Sequence, residues 1–150
     1  MIAYFLLLAL TSGDISSQLH AKFISFVWQT KGIPYVYGRT DCSWLVKRWF
    51  NHLGLYLPRG SWIQYEYLLT QGWHRDTVGH PFGLFFFRGT NPRRPKTQIS
   101  HVGILYRKEL TYWMTYEARR KQGVDFYLRK LPHPQYKTEF LYNPKWDVKL

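Results

Sequence analysis

Cys42 is the only cysteine in the chain, and the residues around it would prepare it as a nucleophile. Thr40 and Asp41, directly before it, are helix-starting residues. Leu45, Val46, Trp49, Phe50 and Leu53 follow at helical spacing, up to a stop at Gly54. A cysteine on the first turn of such a helix meets N–H groups without intrahelical partners, whose partial positive charge favours thiolate over thiol. The thiolate is the nucleophilic form. Against this stands the ordinary fate of a lone cysteine, a small buried apolar residue. A cysteine nucleophile also needs a base, and the base needs a group to hold it. Six histidines are available: His20 and His52 in helical stretches, His74 and His80 in a loop, His133 between prolines, and His101 opening a strand 59 residues beyond Cys42. Residue type alone does not choose among them.

The elements that must position these groups divide the chain into a helical first half and a strand-rich second half. Leu19, Phe23, Phe26, Val27 and Thr30 predict a helix from Ser17 to Lys31, closed by Gly32. Gly32, Pro34 and Gly38 then mark a loop leading into the Cys42 helix. A third helix is expected from Trp62 to Thr70, capped by Ser61 and stopped by Gly72. After it, Leu84–Phe87, His101–Tyr106, Thr111–Tyr116 and Val124–Leu128 read as strands, rich in β-branched and aromatic residues. Short connections between them favour an antiparallel meander. Residues 132–150, with Pro132, Pro134 and Pro144, are expected to wrap the surface. The class is α+β.

With 150 residues the chain suffices for one domain with its own core, and a single cysteine excludes an internal disulfide and any cysteine-rich zinc site. No metal or cofactor is expected. The net charge is +12, and because Asp14 is the only formal charge in residues 1–20, the remainder carries +13. Such a balance favours anionic surroundings. Small basic clusters stand at Arg93-Arg94-Pro95-Lys96 and Arg119-Arg120-Lys121, where a solvated surface is the simplest reading. Ile2–Leu10 is an unbroken apolar run of nine residues, too short to span a bilayer but matching the core of an export signal. No lysine or arginine precedes it, and the competing reading is a buried N-terminal element. Residues 1–16 are therefore taken as a signal peptide or apolar segment, and 17–150 as the functional domain.

Four ordered segments carry a resemblance. Pro34-Tyr35-Val36-Tyr37-Gly38 is followed by Asp41-Cys42-Ser43-Trp44, then by Leu57-Pro58-Arg59-Gly60-Ser61 with Gln64 beyond. Leu84-Phe85-Phe86-Phe87 and Ser100-His101-Val102-Gly103-Ile104 complete the series. From about Leu19 to Val124 the chain resembles the NlpC/P60 family of cysteine peptidases, which cut the stem peptides of bacterial cell walls. The resemblance implies a papain-like NlpC/P60 fold, with the cysteine helix packed on an antiparallel sheet that carries the histidine. It implies Cys42 as nucleophile and His101 as general base. The family's third polar residue, usually His, Asn or Gln before an alanine, falls on Glu117. A carboxylate there would fix the ring tautomer and stabilise an imidazolium. By the same resemblance Tyr35 sits beside the oxyanion site, while Asp41 and Ser61 line the pocket for the amino-terminal end of the stem peptide. Asp41 also has a purely helical explanation in the first turn. Arg59 is assigned either to a substrate carboxylate or to a salt bridge within a turn. Trp44 replaces the family's glycine, and Gly83 its aspartate.

The implied activity is hydrolysis after γ-D-glutamate through a Cys-His-Glu acyl-enzyme, by an exported monomer drawn to anionic envelope polymers. If residues 1–13 are no signal, the location becomes cytoplasmic. Two rivals use the same fold: a wall-binding domain without turnover, and an amidase or acyltransferase acting on another amide or on lipid. Nucleic-acid binding would explain the charge but not the Cys–His arrangement, and is not expected.

Overall fold

The computed structural model describes residues 14–146, so the apolar run Ile2–Leu10 and the start of the proposed signal lie outside the described residues. Three helices come first: α1 (Ile15–Thr30), α2 (Cys42–His52) and α3 (Ser61–Thr70). Six strands follow: β1 (His74–Asp76), β2 (Leu84–Arg88), β3 (Ile99–Glu109), β4 (Tyr112–Arg119), β5 (Gly123–Lys130) and β6 (Thr138–Tyr142). The strands form one antiparallel sheet in the order β1-β6-β2-β3-β4-β5. This is the expected α+β architecture. Among the described residues no helix is long and apolar enough to cross a membrane.

Each helix buries the stripe that its spacing lays out. Leu19, Phe23, Phe26 and Thr30 of α1, Leu45, Val46, Trp49 and Phe50 of α2, and Tyr65 and Leu68 of α3 all face inward. With Leu84, Phe86, Val102, Ile104, Tyr116 and Val124 of the sheet they form the main core. Thr30 ties α1 to β4 through a 2.8 Å bond between its hydroxyl and that of Tyr116. The opposite face of the sheet holds a smaller core of Phe85, Phe87, Leu105, Trp113, Leu131 and Phe140. A strand buried on both faces has no polar side to show, which explains the unbroken run Leu84–Phe87 in β2.

The structure departs from the sequence reading at four places, one of them His74, which opens β1 and does not lie in a loop. Residues 132–150 do not simply wrap the surface, because β6 enters the sheet between β1 and β2 and pairs with both. The prolines that suggested irregular chain flank this strand and leave its interior free of them. The first helix begins earlier than Ser17, because Asp14 is its cap and accepts from the Ser17 N–H. At α3 the cap is Gly60 (φ 92°) rather than Ser61, which is already the first helical residue.

Candidate active site

Asp41 fixes the start of α2. It is the N-cap, and its Oδ1 accepts from the Trp44 N–H at 3.0 Å and from the Ser43 hydroxyl at 3.1 Å. Its Oδ2 accepts from the Gly38 N–H at 3.1 Å, which binds the preceding loop to the helix. Arg59 completes the arrangement by placing Nη2 at 3.1 Å from both carboxylate oxygens. Gln64, from α3, donates to the carbonyls of Ser43 and Pro58 at 2.8 Å each. The Leu57–Gln64 segment thus clamps the turn that carries Cys42. Cys42 is then the first helical residue. Among the described residues the N–H groups of Cys42 and Ser43 meet no protein acceptor, so both are available to an incoming anion.

His101 comes from β3, paired with Phe87 of β2, and Glu117 from β4. His101 Nε2 lies 2.8 Å from Glu117 Oε1, which leaves Nδ1 as the ring nitrogen for the Cys42 thiol. Gly103 makes the approach possible, since a Cβ there would overlap the Phe85 ring and press on the Glu117 side chain. Phe87 stacks against the imidazole at 5.7 Å between ring centres. Glu117 has no solvent exposure and spends both oxygens on partners. Besides His101, Oε1 accepts from Arg129 Nη2 at 2.7 Å, and Oε2 accepts from Arg129 Nε at 2.7 Å and the Thr115 hydroxyl at 2.6 Å. Arg129 in turn lies 5.1 Å above Phe87.

The electrostatics follow from these contacts. Burial alone would push the His101 pKa down, but hydrogen bonds and charge attraction from Cys42 and Glu117 outweigh it and raise it to about 9. Burial likewise favours the neutral acid at Glu117, but Arg129 and His101 hold its pKa down at about 2. At neutral pH the line therefore reads guanidinium, carboxylate, imidazolium, with the sulfur of Cys42 at its end. Tyr35 is half-buried, and its pKa is raised by burial and by the neighbouring Cys42, with the nearby Arg120 opposing that rise.

A cleft opens over Cys42 in two lobes. One, about 320 Å³, is lined by His101, Arg119, Arg120, Arg129 and Ala118. The other, about 350 Å³, is lined by Asp41, Ser43, Gly60, Ser61 and Trp62. Tyr35, Tyr37, Asn91 and Ser100 border both. The structure therefore brings Cys42, His101, Glu117 and Tyr35 together, with Ser61 in the second lobe. Asp41 also borders that lobe, yet its oxygens serve the helix start and Arg59. Arg59 sits in that ion pair and donates to the Arg39 carbonyl at 3.2 Å. Trp44 packs against the main core and lines neither lobe. At Gly83 a Cβ would come within 2.7 Å of the Leu141 carbonyl oxygen, so the strand leaves no room for an aspartate.

Two participants escaped the sequence reading, Arg129 and Thr115. Thr115 shared the face of Glu117 by strand alternation and was findable. Arg129 reaches Glu117 from a position paired with Trp113, a diagonal approach that no local pattern announces. Among the described residues no group of three or more His, Cys, Asp or Glu side chains is placed to hold a metal ion.

The fold and the sequence have counterparts among known proteins. No curated protein matches the sequence. Among solved structures, a protein similar to lipoprotein of the NLP/P60 family from Staphylococcus aureus aligns with a TM-score of 0.53 at 21% identity, over 74% of this chain and 36% of its own. NlpC1 of Trichomonas vaginalis aligns with a TM-score of 0.53 at 17% identity, over 79% of this chain and 41% of its own. At such identities the likeness is one of fold, and this chain spans well under half of each neighbour. The sequence itself matches the NlpC/P60 family over residues 32–147, which covers the Cys42 loop, all three strands of the site and β6, and so the chain belongs to the NlpC/P60 family.

Proposed function

We propose that the protein is a cysteine peptidase that hydrolyses peptidoglycan stem peptides, with Cys42, His101 and Glu117 as its catalytic groups. The observation that carries this reading is the buried Glu117 carboxylate, held ionised and aimed at His101 Nε2, with Cys42 on the ring's other side. Family membership supports a peptidoglycan hydrolase-like activity.

The thiolate of Cys42 attacks a peptide carbonyl carbon, and the C=O electron pair moves to oxygen. The N–H groups of Cys42 and Ser43 receive that oxyanion, with Tyr35 beside them. As the tetrahedral species collapses, the C–N bond breaks and His101 gives its proton to the departing amine. A thioester remains on Cys42. Neutral His101 then takes a proton from water, whose oxygen attacks the thioester. Loss of the sulfur restores the thiolate–imidazolium pair and frees the new carboxylic acid, which gives its remaining proton to solvent. Glu117 changes no bond; it keeps Nε2 protonated and its charge opposes that of the imidazolium.

The bond proposed is the one after γ-D-glutamate. Such a substrate places the working protein outside the cytoplasmic membrane, with Ile2–Leu10 as the core of its export signal. Digestion of defined muropeptides, with mass spectrometry of the products, tests the reading. Release of a dipeptide ending in γ-D-glutamate, absent with Cys42→Ala, is expected. Undiminished release by Cys42→Ala would refute the assignment, and transfer of an acyl group to an added amine or lipid in place of hydrolysis would move the protein to the transferases.

A further inference from the structure

The two lobes of the cleft differ in what they offer a substrate. His101 protonates the departing amine, so the acyl portion extends the other way, into the lobe at the start of α3. There Trp62 and Tyr37 stand 52% and 65% exposed, with Ile63 beside them. Among the described residues the Trp62 indole meets no other ring, so it is left half-exposed without a stacking partner. A single exposed aromatic is ordinary, but several gathered on the wall of a reactive cleft mark a contact surface.

Charge in this lobe is already settled. Asp41 is its only acidic lining residue, and Arg59 holds both carboxylate oxygens at 3.1 Å. The one cation lining it is Arg94. A substrate ammonium entering here would meet a neutralised carboxylate and a guanidinium, so a free amino end gains little. Between the aromatic side chains lie neutral polar groups. Among the described residues the Ser61 hydroxyl and the Gln98 amide make no side-chain hydrogen bond. A wholly apolar guest would bury them unpaired. A saccharide suits both parts of the wall: its C–H faces pack on aromatic faces, and its hydroxyl and acetamido groups pair with amide and hydroxyl.

We propose that Trp62 is a saccharide platform: it receives the sugar joined by an amide to the amino end of a stem peptide. The protein then acts on stems still attached to glycan in preference to free peptides. The inference rests on the peptidase reading above and extends its substrate beyond the peptide. An amide-closed end carries no ammonium for Asp41 to receive, which agrees with the commitment of Asp41 to Arg59.

The test uses one stem peptide in three forms, its amino end joined to an N-acetylated disaccharide, closed by an acetyl group, or free. The native protein is expected to cleave the glycosylated form with kcat/KM about tenfold above the acetylated one, the scale of one aromatic stacking contact. The free form should be cleaved no faster than the acetylated. Trp62→Ala lowers the glycosylated value about tenfold and brings the ratio of the first two forms near one. Trp62→Phe restores part of it. Trp28→Ala, which removes a tryptophan exposed on α1 that lines neither lobe, leaves the ratio as in the native protein. Equal cleavage of the glycosylated and acetylated forms overturns the proposal, as does preference for the free form. So does a Trp62→Ala loss shared alike by both blocked forms, or an equal effect of Trp28→Ala. Dissociation constants of the three forms on Cys42→Ala protein separate the two claims. Absence of cleavage of any form by the native protein removes the peptidase reading, whereas equal binding of the glycosylated and acetylated forms removes the saccharide platform alone.

Discussion

Two carboxylates flank the reacting pair, each gripped by an arginine through both oxygens, yet they are built differently. Asp41 and Arg59 lie 18 residues apart at the rim, with side chains 12% and 38% exposed. Glu117 and Arg129 sit on neighbouring strands, 0% and 14% exposed. The first pair holds the backbone that presents Cys42; the second holds the ring that serves it. An ion pair near water is screened and replaceable, whereas a buried carboxylate stripped of its partner keeps the full cost of its desolvation. Rigidity around the base therefore depends on Arg129 far more than rigidity around the nucleophile depends on Arg59.

Replacing each arginine separately puts that contrast to a direct test. Arg129→Ala is expected to destabilise the fold by about 3 kcal/mol, measured by urea unfolding, and to remove most of the activity. A loss no larger than that of Arg59→Ala would erase the distinction. Glu117→Gln keeps the shape but removes the charge, so activity should fall steeply while the fold survives. The His101 pKa should drop from about 9 in an NMR titration of the ring. Asp41→Ala removes a helix cap and should cost about 1–2 kcal/mol. Arg59→Ala should cost about 1 kcal/mol or less, with turnover reduced only as far as the Cys42 turn loosens.

The pH dependence sharpens the comparison from the other direction. His101 is raised on folding, so its stabilising contribution is complete below pH 6.5 and is lost as pH rises through about 9. Activity should fall over the same upper limb, because the leaving amine then lacks its proton donor. Glu117 is lowered, so its contribution is complete above pH 4.5 and lost as pH falls through about 2. In Glu117→Gln the alkaline limb should move toward neutrality, and an unmoved limb would mean that the carboxylate does not hold the imidazolium.

The sequence disclosed the Cys42 helix, the buried run of β2 and the α+β order because each is written in local spacing. The neighbourhood of His101 and Glu117 became visible only through the family motifs, since the two residues meet by pairing between β3 and β4. What stayed hidden depended on distance or diagonal reach. Arg129 is one such residue, and the short strand Thr138–Tyr142 is another, its membership in the sheet fixed by partners more than fifty residues earlier. Arg59 and Gln64 were legible as part of a motif but not as a clamp, because only the fold shows which backbone groups they reach.

The interior placement of β6 has a consequence for how the chain is made. A nascent chain that has completed β2 through β5 still presents one bare flank of the phenylalanine-rich β2, the sort of edge on which unrelated strands aggregate. Synthesis of residues 138–142 seals it, and until then β1 has no neighbour to join. Chains truncated before residue 138 should aggregate through that edge, and chains that include β6 should not.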